Sequence, residues 1–136
     1  MSETALQPVA ADELLARFIK FERWFRRTDR TVKPDAFIPP PDLQLSVIRH
    51  ISLSEDELWK VGQRIADEAA KTNPRVILHG RADLHVYDVS KQALHTEAAP
   101  DADCPNHAHI TGWPAEKSER KSIAQLLAAK AVLHLR

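Results

Sequence analysis

Four ionisable side chains suited to acid–base or anion chemistry fall in one short run: His79, Arg81, Asp83 and His85. Read as one extended strand from Val76 to Tyr87, the run places these four on one face and Val76, Leu78, Gly80, Ala82, Leu84 and Val86 on the other. An imidazole titrates near neutrality, a carboxylate orients it, and a guanidinium holds an oxyanion. His107 or His79 with Asp83 is therefore the candidate catalytic pair, and Arg81 the candidate anion holder. His107 and His109 repeat the every-other-residue spacing and would share that surface from a neighbouring strand. The competing reading is structural, because solvent-side strand positions are polar by default. A tighter turn at Gly80-Arg81 would also dissolve the row.

Other chemistries leave thinner traces. Cys104, His107 and His109, with Asp101 or Asp103, offer metal ligands within a few residues, but their spacing fits no zinc signature, so no metal or other cofactor is expected. Cys104 beside His107 carries no family-independent signature of a nucleophile. Glycines at 62, 80 and 112 build no phosphate loop. Lys117 and Lys121 lie one turn apart at the start of an expected helix. With Arg81 and His107 they would hold phosphate, a nucleotide or a carboxylate, unless they are only a solvated flank.

The elements that must position these groups are read from periodicity. Met1 to Ala11 reads as a loose arm, and residues 12–136 as one domain. Leu14, Phe18, Phe21 and Phe25 recur at helical spacing, which predicts an amphipathic helix from Asp12 to Arg27 with a basic back. Pro34, Pro39, Pro40 and Pro41 make the next stretch an extended connector. Leu43, Leu45 and Val47 alternate as in a half-buried strand. Ser54 with Glu57 is a capping box, and Leu53 with Leu58 a hydrophobic staple, so a helix starts at Ser54 and stops at Asn73-Pro74. Strands follow to Glu97 with a turn at Asp88 to Lys91, then a loop from Ala98 to Asn106 and a short strand from His107 to Thr111. A last helix follows Gly112-Trp113-Pro114, with Ile123, Leu126, Leu127 and Ala131 as its buried side. This order predicts an α+β domain: an antiparallel sheet of about four strands, three helices mainly on one face, and the other face open.

Nineteen basic and nineteen acidic residues leave no net charge to gather nucleic acid, although Arg23, Arg26, Arg27, Arg30 and Lys33 cluster locally. Arg23, Arg27 and His85 are instead the candidate surface for a protein partner or a second copy. The single cysteine, and the absence of an apolar leader or membrane-length span, lead to the expectation of a cytoplasmic protein without membrane attachment.

Several runs are shared with a family. Val32-Lys33-Pro34-Asp35-Ala36-Phe37-Ile38-Pro39, Leu45-Ser46-Val47-Ile48-Arg49-His50, Leu53-Ser54-Glu55 with Leu58-Trp59, Gly80-Arg81-Ala82-Asp83, and Asn106-His107-Ala108 with Gly112-Trp113-Pro114 resemble a family of small uncharacterised bacterial proteins over roughly residues 18–131. The resemblance implies a bacterial single-domain protein and brings no activity with it. The expected function is a non-enzymatic binding or accessory module using the open sheet face and the loop from Pro100 to Gly112. The alternative is a small enzyme or an anion- or nucleotide-binding protein using His107, Asp83 and Arg81.

Overall fold

The segment Leu14-Leu15-Ala16-Arg17-Phe18-Ile19 is apolar at both parities, the composition of a strand covered on two faces. In the computed structural model, which describes residues 6–136, it forms strand β1 (Leu14–Ile19). The helix expected from Asp12 to Arg27 is thus replaced by β1, a 3-10 turn at Glu22–Trp24 and a short strand β2 (Phe25–Arg26). Two-sided burial decides it: Leu15 and Ile19 enter one apolar cluster, and Ala16 and Phe18 another. A helix burying the Leu14–Phe18–Phe25 stripe would leave half of these side chains outside.

β2 pairs only with β3 (Thr31–Val32), and a 3-10 turn at Pro34–Phe37 buries Ala36 and Phe37. The chain continues through β4 (Leu45–Arg49), α1 (Glu55–Ala70), β5 (Gly80–His85), α2 (Val86–Ser90), β6 (His95–Ala98), β7 (His107–Thr111), α3 (Lys117–Lys130) and β8 (Val132–Leu135). Six strands form one antiparallel sheet in the order β6-β7-β4-β1-β5-β8, against the four or so expected. The helices do not share one face either. Ala124, Leu127 and Ala128 of α3 pack with Leu15 and Ile19, whereas Leu58 and Ala66 of α1 pack with Ala16 and Phe18, whose side chains point the opposite way.

α1 starts where the sequence placed it. The Ser54 hydroxyl accepts the Glu57 N–H at 3.1 Å, and the Glu57 carboxylate accepts the Ser54 N–H at 2.8 Å. Gly62 lets the helix lie directly on β1, since a Cβ there would stand 2.3 Å from the Phe18 ring. α3 starts three residues after Pro114. Leu126 is 51% exposed, contrary to expectation, and Ala124 and Ala128 fill the buried positions with Leu127. Arg120 hydrogen-bonds the Pro114 and Ala115 carbonyls.

The long strand expected from Val76 to Tyr87 is shorter at both ends. Residues 76–79 run up to β5 without being part of it, and the expected turn at Asp88 to Lys91 is largely the helix α2. Of the expected N-terminal arm, residues 1–5 lie outside the described part. The remainder is tied down, with the Gln7 carbonyl accepting from Arg49 Nη2 at 2.6 Å and the Ala11 carbonyl accepting the Tyr87 N–H at 2.9 Å.

Replacing Ser54 with Ala removes one half of the capping box. Urea unfolding of Ser54→Ala should show a loss of about 1 kcal/mol with an unchanged m-value.

Candidate functional site

The two central strands of the sheet pair over a short stretch only. β1 and β4 are joined by two registered pairs, Leu15 with Arg49 and Ala16 with Ile48, and the pairing stops there. Alternation explains what is left over. The Arg49 N–H goes to Asn106 on the β7 side and the His50 N–H to Leu14 on the β1 side, so the backbone groups of Ser46 also face β1. The Ser46 carbonyl takes its hydrogen bond from Arg17 Nη1 at 3.0 Å, and Arg17 Nε donates to the Ala36 carbonyl at 2.8 Å. A guanidinium thus fills the place of a ladder rung, and the strands part.

A cleft of about 490 Å³ occupies this fork. Its apolar lining comes from Ala16 and Phe18 of β1, Ile48 of β4, Ile65 of α1 and Cys104. Around these stand Arg17, Lys20, Arg64, Glu68, Asp101, Asp103 and His107. The loop at its mouth is shaped by the Asp101 carboxylate, which accepts the N–H groups of Asp103 and Cys104 at 2.9 and 2.7 Å. Arg64 on α1 donates to the Asp103 carbonyl at 2.7 Å, tying roof to loop. His107 Nδ1 lies 3.1 Å from the Ala99 carbonyl, which assigns the proton to Nδ1 when the ring is neutral. Burial raises the Cys104 thiol above its ordinary pKa, so this sulfur is not a ready thiolate.

Arg81 and Asp83 form a second, separate cluster. Neither is solvent-side: α1 covers them, and they are 3% and 6% exposed. Arg81 Nε donates to both Asp83 oxygens at 3.1 and 3.2 Å, while its two terminal nitrogens grip Glu55 at 2.8 and 3.1 Å. Burial works against the Arg81 charge, but the Glu55 and Asp83 contacts outweigh it and the net shift is upward. His50 Nε2 lies 2.9 Å and His134 Nε2 3.3 Å from Asp83, and Trp59 lies beneath the guanidinium at 4.7 Å. Two imidazoles on one carboxylate resemble half of a metal site, yet Arg81 already supplies the cation. Among the described residues, no group of three or more His, Cys, Asp or Glu is arranged to hold a metal ion.

The expected site is therefore divided. Asp83, Ala16, Ile48 and His107 lie in one cross-strand row, so two strands separate Asp83 from His107, roughly 14 Å at ordinary strand spacing. His79 lies outside β5, its ring 5.6 Å from that of Phe25, and burial lowers its pKa. His109 packs edge-on against His107 at 4.7 Å, its pKa lowered by burial and then by that neighbour. Cys104 belongs to the apolar cluster beneath α1 and does not join the two histidines in a ligand set. Lys117 and Lys121 belong to α3 on the opposite face and line no part of the cleft. Arg23 and Arg27 lie over Phe21 and Phe25, near the end of β1 that meets Gly80, whereas His85 stacks on Tyr87 at the other end of that pairing. They are not one surface.

Arg17, Arg64 and His134 enter these two clusters without any sequence signal of their own, whereas His50 ends one of the runs that resemble the small bacterial family and Lys20 lies on the basic back of the helix expected at the start of the chain. No family model, curated protein or solved structure matches the chain. Its chemistry is read from its own geometry.

Asp83→Asn should cost about 2 kcal/mol in urea unfolding, because it removes the buried carboxylate that accepts from Arg81 Nε and leaves Glu55 as the counter-charge of the guanidinium. Glu55 titrates below the ordinary carboxylate range because Arg81 hydrogen-bonds its charged form. Its contribution is therefore complete above that range and lost as pH falls through the lowered pKa. Acid unfolding followed by circular dichroism should show a shallower pH dependence in Glu55→Gln.

Proposed function

We propose that the protein is a small-molecule binding module whose working site is the cleft between the parted strands β1 and β4, roofed by α1 and closed by the 101–104 loop. One observation carries this reading: the sheet gives up its central pairing where an apolar-floored cavity of about 490 Å³ opens. That volume lies in the range of ligand sites, and an apolar lining with a few convergent polar groups is their usual composition. The expected site was an open sheet face beside the Pro100–Gly112 loop; the cleft adjoins that loop but lies on the face that α1 covers. A flat protein-docking face is disfavoured, because α1 covers the part of the sheet that carries Arg81 and Asp83. Chemistry on His107 is disfavoured as well, since the carboxylate that would orient it stands two strands away. Kinship with the small bacterial family belongs to the same proposal. No helix among the described residues is long and apolar enough to cross a membrane.

Ser46 is exposed, and its side chain shares the cleft's face, so Trp at this position should plug the cavity without disturbing the core. A fluorine-detected fragment screen should give hits in the wild-type protein that are lost in Ser46→Trp, with melting temperatures within about 3 °C of each other. A wild-type protein that binds no fragment, or a variant that keeps every hit, refutes the proposal.

A further inference from the structure

Two cations without an ion-pair partner line the cleft: Arg17, which reaches it through the parted strands from the side of Ala36 and Trp24, and Lys20. Arg17 is half-buried and spends its donors on two neutral carbonyls, those of Ala36 and Ser46. Lys20, the residue that follows β1, lies with it over the Trp24 ring, at 6.0 Å against 5.0 Å for Arg17. Arg64 on the opposite wall donates to the Asp103 carbonyl. Among the described residues, no carboxylate lies within ion-pair distance of Arg17, Lys20 or Arg64.

The acids of the lining are engaged or remote. Glu68 pairs with Lys71 at 2.9 Å, the Asp101 carboxylate holds two backbone N–H groups, and Asp103 is exposed at the mouth. Burial lowers the pKa of Arg17 to about 10, and burial and then the neighbouring Arg17 charge lower that of Lys20. Structural arginines are normally neutralised, as Arg49 is here by Glu13. A cation pair left without a counter-charge beside an apolar cavity has the chemistry of an anion receptor.

We infer that the ligand of the cleft is an amphipathic anion, a carboxylate or phosphate monoester on a compact apolar body, with its charged group at Arg17 and Lys20 and its body on Phe18, Ile48 and Ile65. This rests on the cleft being the binding site. The neutral end of such a ligand fills the fork, and its oxygens complete the donors that Arg17 does not spend on carbonyls and those of Lys20. Neutral compounds of the same shape lack that second half of the interaction.

The test is a ¹H–¹⁵N titration with three probes of one shape: benzoate, phenyl phosphate and benzyl alcohol. Both anions should shift the amides of Phe18, Ser46 and Cys104 and saturate at about tenfold lower concentration than the alcohol, the advantage of one charge-assisted hydrogen bond. Lys20→Gln should erase most of that advantage and leave alcohol binding unchanged. Whichever anion saturates first tells carboxylate from phosphate ligands. If the alcohol binds as tightly as the anions, the inference fails while the cleft survives. If no probe perturbs these amides, the binding reading fails with it. If anion affinity is untouched in both Lys20→Gln and Arg17→Gln, the anion sits elsewhere and the inference is overturned.

Discussion

The two halves of the sheet are joined through a short stretch of β1–β4 pairing, two registered residue pairs and the flanking His50-to-Leu14 hydrogen bond, and most of what is distinctive here follows from what stands at either end of that joint. At the closed end Arg49, 1% exposed, is gripped through Nε and Nη2 by both oxygens of Glu13. The Asn106 amide braces the same corner by donating to the Arg49 and Ile51 carbonyls. At the open end Arg17 substitutes for the next rung with a hydrogen bond to Ser46. One arginine is neutralised and seals the sheet, and the other is left charged and wedges it apart.

The Arg81 cluster serves the same arrangement from above. It joins β5 to the first turn of α1 through Glu55, and Trp59 adds a ring beneath the guanidinium. The roof of the cleft is thereby fixed to the β1-β5-β8 half. The floor beside Ile48 and the loop around Cys104 belong to the β6-β7-β4 half, and Arg64 reaches across to them. Arg81 and Asp83, candidates for chemistry in the sequence, stand here in an ion-pair cluster in which a guanidinium between two carboxylates ties a helix to the sheet.

How much of this was legible depends on the range of the forces involved. The start of α1 was readable because a capping box is a contact over three residues. β4 and β7 were readable because one parity of each is apolar. β1 was misread because its Leu14, Phe18, Phe21 and Phe25 satisfy a helical stripe, and only the partners on both sides show that Leu15 and Ile19 are buried as well. β8 escaped notice since four residues after a helix carry almost no periodic signal. Arg81 and Asp83 do share one face, as alternation requires, but nothing local reveals that α1 lies over it. Arg17 gives no sign at all, and Lys20 reads only as part of a helix's basic back. Their significance is the absence of a counter-charge, which only the assembled fold displays.

The two halves of the sheet interleave along the chain. β1, β5 and β8 build one, and β4, β6 and β7 the other, so the backbone crosses between them repeatedly. Neither half is a contiguous stretch of chain, and apart from the β6-β7 hairpin every strand pairing in the sheet closes a long loop. The walls of the cleft come from residues near 17, 47, 65 and 104, four stretches that meet only when both halves have docked. A binding surface assembled in this way is among the last features to appear as the chain folds, and among the first to vanish when the joint between the halves is loosened.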